Sequence, residues 1–123
     1  MQKRKFIAVI DDDESVREAL PDLLRVLGYE AAGYSSAEEF LASDKLEQAE
    51  CLVLDIAMPG MSGLDLRREL IRRGRNLPII FITAYKEEAV RLRARERDGV
   101  VCLLKPFSDT ALLEALRVVL GSK

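Results

Sequence analysis

Apolar residues gather in short runs separated by amphipathic stretches, and most runs end abruptly on a polar side chain. Phe6-Ile7-Ala8-Val9-Ile10 leads into Asp11-Asp12-Asp13-Glu14, and Cys51-Leu52-Val53-Leu54 leads into Asp55. Pro78-Ile79-Ile80-Phe81-Ile82 leads into Thr83, and Val100 to Leu104 into Lys105-Pro106-Phe107. Runs this short, without polar alternation, read as strands buried on both faces of a parallel sheet. Tyr29 to Tyr34 is weaker, partly polar and interrupted by Gly33, which suits a strand at the sheet edge.

The stretches between carry helical spacing. Val16, Leu20, Leu23, Leu24 and Leu27 predict a first helix with Gly28 as its stop. Pro21 lies inside it and should kink it or loosen its first turns, at about 3 kcal/mol if unrelieved. Ser36-Ala37-Glu38-Glu39 matches a capping box and opens a second helix through about Ser43. Ser62 caps a third, with Leu64, Leu70 and Ile71 apolar and Gly74 at its end. Lys86 to Asp98 reads as a fourth helix closed by Gly99, its apolar stripe thin enough to make it the candidate mobile element. Ser108 caps the last, carrying Leu112, Leu113, Leu116, Val119 and Leu120 and stopped by Gly121.

Strands alternating with helices define an α/β fold: a five-stranded parallel sheet with five helices on both faces. In such sheets functional groups collect beyond the carboxyl ends of the strands. Asp11 and Asp12, Asp55, Thr83 and Lys105 all occupy those ends and are expected to converge.

Composition narrows the chemistry. With 123 residues, 49% hydrophobic and 33% charged, the chain is expected to form one globular domain over residues 1–123. A net charge of −2 favours neither nucleic acid nor a membrane surface. Arg67, Arg68, Arg72, Arg73 and Arg75 have no interleaved aromatics and read as a solvated helix face. No run approaches the roughly 20 apolar residues of a membrane span. Cys51 and Cys102 fall inside apolar runs as core residues, which fits a reducing cytoplasm. The chain has no histidine, which excludes its own imidazole as base, nucleophile or metal ligand.

Carboxylates converging at one place repel, and a divalent cation removes the repulsion. Two carboxylates with carbonyls and waters make a hard-oxygen site suited to Mg²⁺. Asp11, Asp12 and Asp55 are balanced in charge by Mg²⁺ and Lys105 together. An aspartate can attack phosphorus to give an acyl phosphate, a transfer governed by positioning and charge neutralisation. Asp55 stands alone on its loop and fits the nucleophile; the adjacent Asp11 and Asp12 suit metal. The Thr83 hydroxyl can donate to a phosphoryl oxygen.

These residues resemble the receiver domain of two-component response regulators. The resemblance is carried by Val9-Ile10-Asp11-Asp12-Asp13-Glu14, Leu54-Asp55-Ile56-Ala57-Met58-Pro59-Gly60-Met61-Ser62-Gly63, Ile82-Thr83-Ala84 and Leu104-Lys105-Pro106-Phe107. It implies the flavodoxin-like strand order 2-1-3-4-5. It implies that Asp55 accepts phosphate from a histidine kinase or histidine phosphotransfer protein. Asp12 would then ligate Mg²⁺ directly, with the Ala57 carbonyl as a further ligand and Asp11 acting largely through water, while Thr83 and Lys105 hold phosphoryl oxygens. A downstream protein target or a C-terminal output domain would read the switch, and any dimer would form through residues 86–120.

Two positions depart from the family pattern. Cys102 stands where a Tyr or Phe usually turns inward on activation, so the packing change is expected from Thr83, the loop to Lys86, and Tyr85 or Phe107. Ala57 replaces a longer side chain and leaves room for water. Two other functions stay open: an Mg²⁺-dependent aspartyl phosphohydrolase, and a receiver-like interaction module that takes no phosphate. Asp55-Ile56-Ala57 lacks the second acid of the former, and the latter generally lacks one of the residues kept here. Whether the chain stands alone or is the N-terminal domain of a longer regulator is also open.

Overall fold

The computed structural model describes residues 4–95 and 101–121. Five strands, β1 (Phe6–Ile10), β2 (Glu30–Tyr34), β3 (Ala49–Asp55), β4 (Ile79–Thr83) and β5 (Val101–Leu104), form one sheet. All pairings are parallel, in the order β2-β1-β3-β4-β5. The helices are α1 (Glu14–Val26), α2 (Ala37–Leu41), α3 (Gly63–Arg72), α4 (Lys86–Arg95) and α5 (Asp109–Leu120). The flavodoxin-like architecture expected from the sequence is therefore present, with β2 at an edge.

Strand alternation explains why the runs are apolar throughout. Ala8, Ile10, Leu52, Leu54, Phe81 and Cys102 face one layer, where they meet Phe40 of α2, Leu66 and Leu70 of α3, and Ala89 and Leu92 of α4. Ile7, Val9, Cys51, Val53, Ile80 and Ile82 face the other and meet Leu20 and Leu24 of α1 and Leu112, Ala115 and Leu116 of α5. The central strands β1, β3 and β4 are thus covered on both faces, and their successive side chains enter opposite cores. Both cysteines are buried and free.

Some local expectations hold and others fail. α1 runs through Pro21, where the sequence placed it, and Pro21 is buried. Pro21 cannot donate to the Arg17 carbonyl one turn earlier, and that carbonyl lies against Gly33 of β2; a Cβ at Gly33 would sit 2.9 Å from it. The sheet edge thus covers the place where the helix lacks a bond. α2 ends at Leu41 rather than Ser43, and a single 3-10 turn (Leu46–Gln48) fills the gap before β3. β3 itself starts at Ala49, two residues ahead of the apolar run.

The capping pattern is also offset. Ser36 accepts from the Glu39 N–H at 3.0 Å, but the Glu39 carboxylate reaches back to the Ser35 N–H at 2.6 Å, so the box is not reciprocal. The full capping box belongs to α3, where Ser62 and Asp65 exchange bonds. In α3 Leu66, which was not among the expected apolar positions, is buried, whereas Ile71, which was, is half exposed. The end of α4 at Asp98, the Gly99 stop and Val100 lie outside the described residues.

The arginines of and beyond α3 are neutralised locally. Arg68 pairs with Asp65, Arg72 and Arg73 with Glu69, and Arg75 with Glu47. That accords with a solvated helix face. Among the described residues no helix is long and apolar enough to cross a membrane.

Candidate functional site

Strand register brings the carboxylates together. Ile10 pairs with Leu54, and each is followed by an aspartate, so Asp11 and Asp55 stand side by side at the ends of the two central strands. Across β4 and β5, Thr83 pairs with Leu104, and Lys105 follows. The Lys105 N–H donates to the Thr83 carbonyl at 2.7 Å, which carries the pairing one residue beyond the strand.

From there the Lys105 ammonium reaches back across the sheet end. Its Nζ lies 2.7 Å from Asp11 Oδ2 and 3.8 Å from Asp55 Oδ2. Carboxylate oxygens of Asp11, Asp12 and Asp55 all fall within 4.8 Å of one another. Asp11 is fully buried and Asp55 is 6% exposed, whereas Asp12 is open to solvent.

The two partners of Asp11 leave it little freedom. Asp11 Oδ1 accepts from the Asp13 N–H at 2.9 Å, while Oδ2 holds Lys105. The guanidinium of Arg17 donates to its carbonyl. Asp13 is itself the N-cap of α1 and accepts from Ser15, so the acidic run divides into a buried anchor, an open carboxylate and a helix cap. The Ala57 N–H donates to Asp55 Oδ1 at 3.3 Å.

This crowding shows in the acid–base behaviour. Burial, reinforced by the Asp11 charge, pushes the Asp55 carboxyl up to about 7 despite the opposing Lys105 ammonium. Burial works against charged Lys105, but the carboxylates of Asp11, Asp55 and Asp13 outweigh it and hold its pKa above the ordinary lysine value. The cluster carries more negative charge than one lysine can compensate.

Thr83 is placed differently from its neighbours. It is fully buried, and its hydroxyl donates to Glu88 Oε1 of α4 at 2.8 Å while accepting from the Tyr85 N–H at 3.1 Å. Asp11, Asp12, Asp55 and Lys105 are thus drawn together, with Thr83 adjoining but engaged elsewhere. Cys102 is buried in the layer beneath α4, and the Arg93 guanidinium donates to its carbonyl. Tyr85 is 59% exposed.

Three residues near the site escaped the sequence reading. Glu88 had no signal, because its contact with Thr83 depends on the angle at which α4 leaves the strand. Glu38 accepts from the Met61 N–H at 3.1 Å and ties α2 to the loop after β3. Gly63 entered only as the last residue of the Leu54 to Gly63 motif, with no role of its own; its N–H donates to the Ile56 carbonyl at 2.9 Å, and a Cβ there would sit 2.4 Å from the Asp55 carbonyl oxygen. For α3 the spacing Ser62-x-x-Asp65 was the available clue.

Comparison with known proteins agrees with this geometry. Residues 7–117 match the family model described as the response regulator receiver domain. Nodulation protein W of Bradyrhizobium diazoefficiens is 41% identical over 92% of this chain and 50% of its own length. Response regulator protein TodT of Pseudomonas putida is 40% identical over 96% of this chain and 52% of its own. The chain therefore spans about half the length of these curated relatives. Among solved structures, response regulator TrrA from Thermotoga maritima, in complex with Mg(2+)-BeF, superposes with a TM-score of 0.79 at 31% identity, over 94% of this chain and 98% of that one. With its fold, its clustered aspartates and this match, the chain belongs to the response regulator receiver domain family.

Proposed function

We propose that the chain is a phosphorylation-driven switch in which Asp55 accepts a phosphoryl group beside a bound Mg²⁺. The observation that carries the reading is the approach of three carboxylates to within reach of one ion, with the Lys105 ammonium alongside. The donor set fits Mg²⁺: the oxygens are hard, Asp12 is open to solvent, and the raised Asp55 pKa marks a site short of positive charge. Asp12 makes no hydrogen bond or ion pair among the described residues, which suits it to direct ligation. Asp11, with both oxygens engaged, would act through water, and the Ala57 carbonyl would add a ligand. When bound, the ion neutralises charge on the carboxylates and on phosphoryl oxygens.

The remaining work falls to the chain. Asp55 attacks phosphorus with a carboxylate oxygen. The bond from phosphorus to the donor's imidazole nitrogen breaks, and that nitrogen keeps the electron pair. Lys105 moves from Asp11 toward the incoming phosphoryl group, and the Thr83 hydroxyl donates to one of its oxygens. The chain catalyses only its own phosphorylation and dephosphorylation, as one domain over residues 1–123, in the cytoplasm. Its donor is a histidine kinase or a histidine phosphotransfer protein, and its reader is a protein target or an output domain, the latter in keeping with the greater length of its relatives. Exposed Val90, Leu104 and Val118 on α4, β5 and α5 suit residues 86–120 as the face that changes partner or pairs with a second copy. A phosphohydrolase is disfavoured because the residue two beyond Asp55 is an exposed alanine, which can neither give nor take a proton.

Incubation with a small phosphodonor and Mg²⁺, read by intact mass, tests the proposal. One added phosphoryl group is expected with Mg²⁺ and none in a chelator. A chain that gains no mass under either condition contradicts it, and sustained turnover of a phosphate ester would revive the phosphohydrolase.

A further inference from the structure

We propose that Glu88 is a positioning residue that holds Thr83 away from the phosphorylation site and must release it for phosphorylation to be stabilised. The inference rests on Asp55 being the acceptor and extends that reading to a residue outside the cluster. The Thr83 hydroxyl is fully buried and has a single proton to give, and that proton goes to Glu88 Oε1 at 2.8 Å. The Tyr85 N–H occupies the oxygen from another side, so the hydroxyl is oriented by two partners. A phosphoryl oxygen on Asp55 competes with Glu88 for the same proton, and the loser must be left or moved.

The surroundings allow Glu88 to leave. It is half-buried and lines a groove of about 130 Å³ with Ile56, Leu64, Arg91 and Leu92. Arg91 stands one helical turn further along the same wall, so the displaced carboxylate meets water and a guanidinium. The same groove touches Ile56, the residue after the acceptor. Release therefore couples events at Asp55 to the position of α4, without an aromatic side chain at Cys102.

The test is beryllofluoride binding in the presence of Mg²⁺, beside thermal melting in its absence. Glu88→Ala removes the competitor, so beryllofluoride should bind about tenfold more tightly, the scale of a hydrogen bond to a charged acceptor. The melting midpoint should fall, because the buried hydroxyl loses its acceptor. Glu88→Gln, which keeps a weaker acceptor, should fall between wild type and Glu88→Ala on both measures. In a Thr83→Ala background Glu88→Ala should no longer change affinity. A residue that merely braces α4 would lower stability and affinity together, and that outcome overturns the proposal. Unchanged affinity, or a gain that persists without the Thr83 hydroxyl, also overturns it. Wild-type protein that binds no beryllofluoride overturns the acceptor reading as well, which separates the two failures.

Discussion

Asp55→Asn should abolish phosphoryl uptake and, in the same protein, make the metal-free domain more stable at alkaline pH. The first effect follows from loss of the proposed nucleophile, since an amide oxygen is a poor attacker at phosphorus and cannot form the acyl phosphate. The second follows from the electrostatics. Burial, reinforced by the Asp11 charge, pushes the Asp55 carboxyl up to about 7 in the folded chain, from an ordinary value of 3.8. Between those pH values the folded state keeps a proton that the unfolded chain has already released. Stability of the metal-free protein therefore declines as pH rises from about 4 to about 7.

An asparagine carries no such charge, so the variant should lose this component of the pH dependence. At pH 8 it should be more stable than wild type by on the order of 2 kcal/mol, after allowance for screening at the site mouth. Denaturant titrations at pH 5 and pH 8 in a chelator check the sign. Mg²⁺ should stabilise wild type strongly at pH 8 and the variant weakly. A variant less stable than wild type at pH 8 would mean that Asp55 is not held under electrostatic stress.

Gly63→Ala should be the most damaging small change to the fold near the site. A Cβ there would lie 2.4 Å from the Asp55 carbonyl oxygen and 3.0 Å from Ile56 Cα. Both are backbone atoms at the end of a central strand, so no side chain can rotate aside. Alanine is ordinarily the better helix former by up to about 1 kcal/mol, yet the overlap should outweigh it. A net loss of about 3 kcal/mol and a fall in melting midpoint on the order of 10 °C are expected. Residual folded protein should take up phosphate slowly, because relieving the overlap moves Asp55 itself. A melting midpoint equal to wild type would show that α3 can shift without cost.

What could be read from the chain alone follows from how local each feature is. The strands were legible because burial on both faces demands uninterrupted apolar residues, and their polar ends then marked Asp11, Asp55, Thr83 and Lys105. Their convergence followed from a rule about parallel sheets, and the register Ile10 with Leu54 realises it. Pro21 stands inside α1 as the spacing predicts, while the approach of β2 at Gly33 to the Arg17 carbonyl that Pro21 cannot serve is a tertiary contact with no periodic signature. The short α2 and the start of β3 at Ala49 were missed because a 3-10 turn has little hydrophobic signature. Glu88 and the closeness of Gly63 to Asp55 depend on how helices leave the sheet, which no run of letters encodes. Thr83 was identified by its position, but its engagement with α4 needed coordinates.

A crystal structure of the chain with Mg²⁺ and beryllofluoride would reach the core of the account most directly. The expected result is beryllium bonded to an Asp55 carboxylate oxygen, the ion held by Asp12 and Asp55, and Lys105 Nζ shifted from Asp11 onto a fluoride. An ion or beryllofluoride bound elsewhere, with Asp12, Asp55 and Lys105 sharing no common ligand, would contradict it.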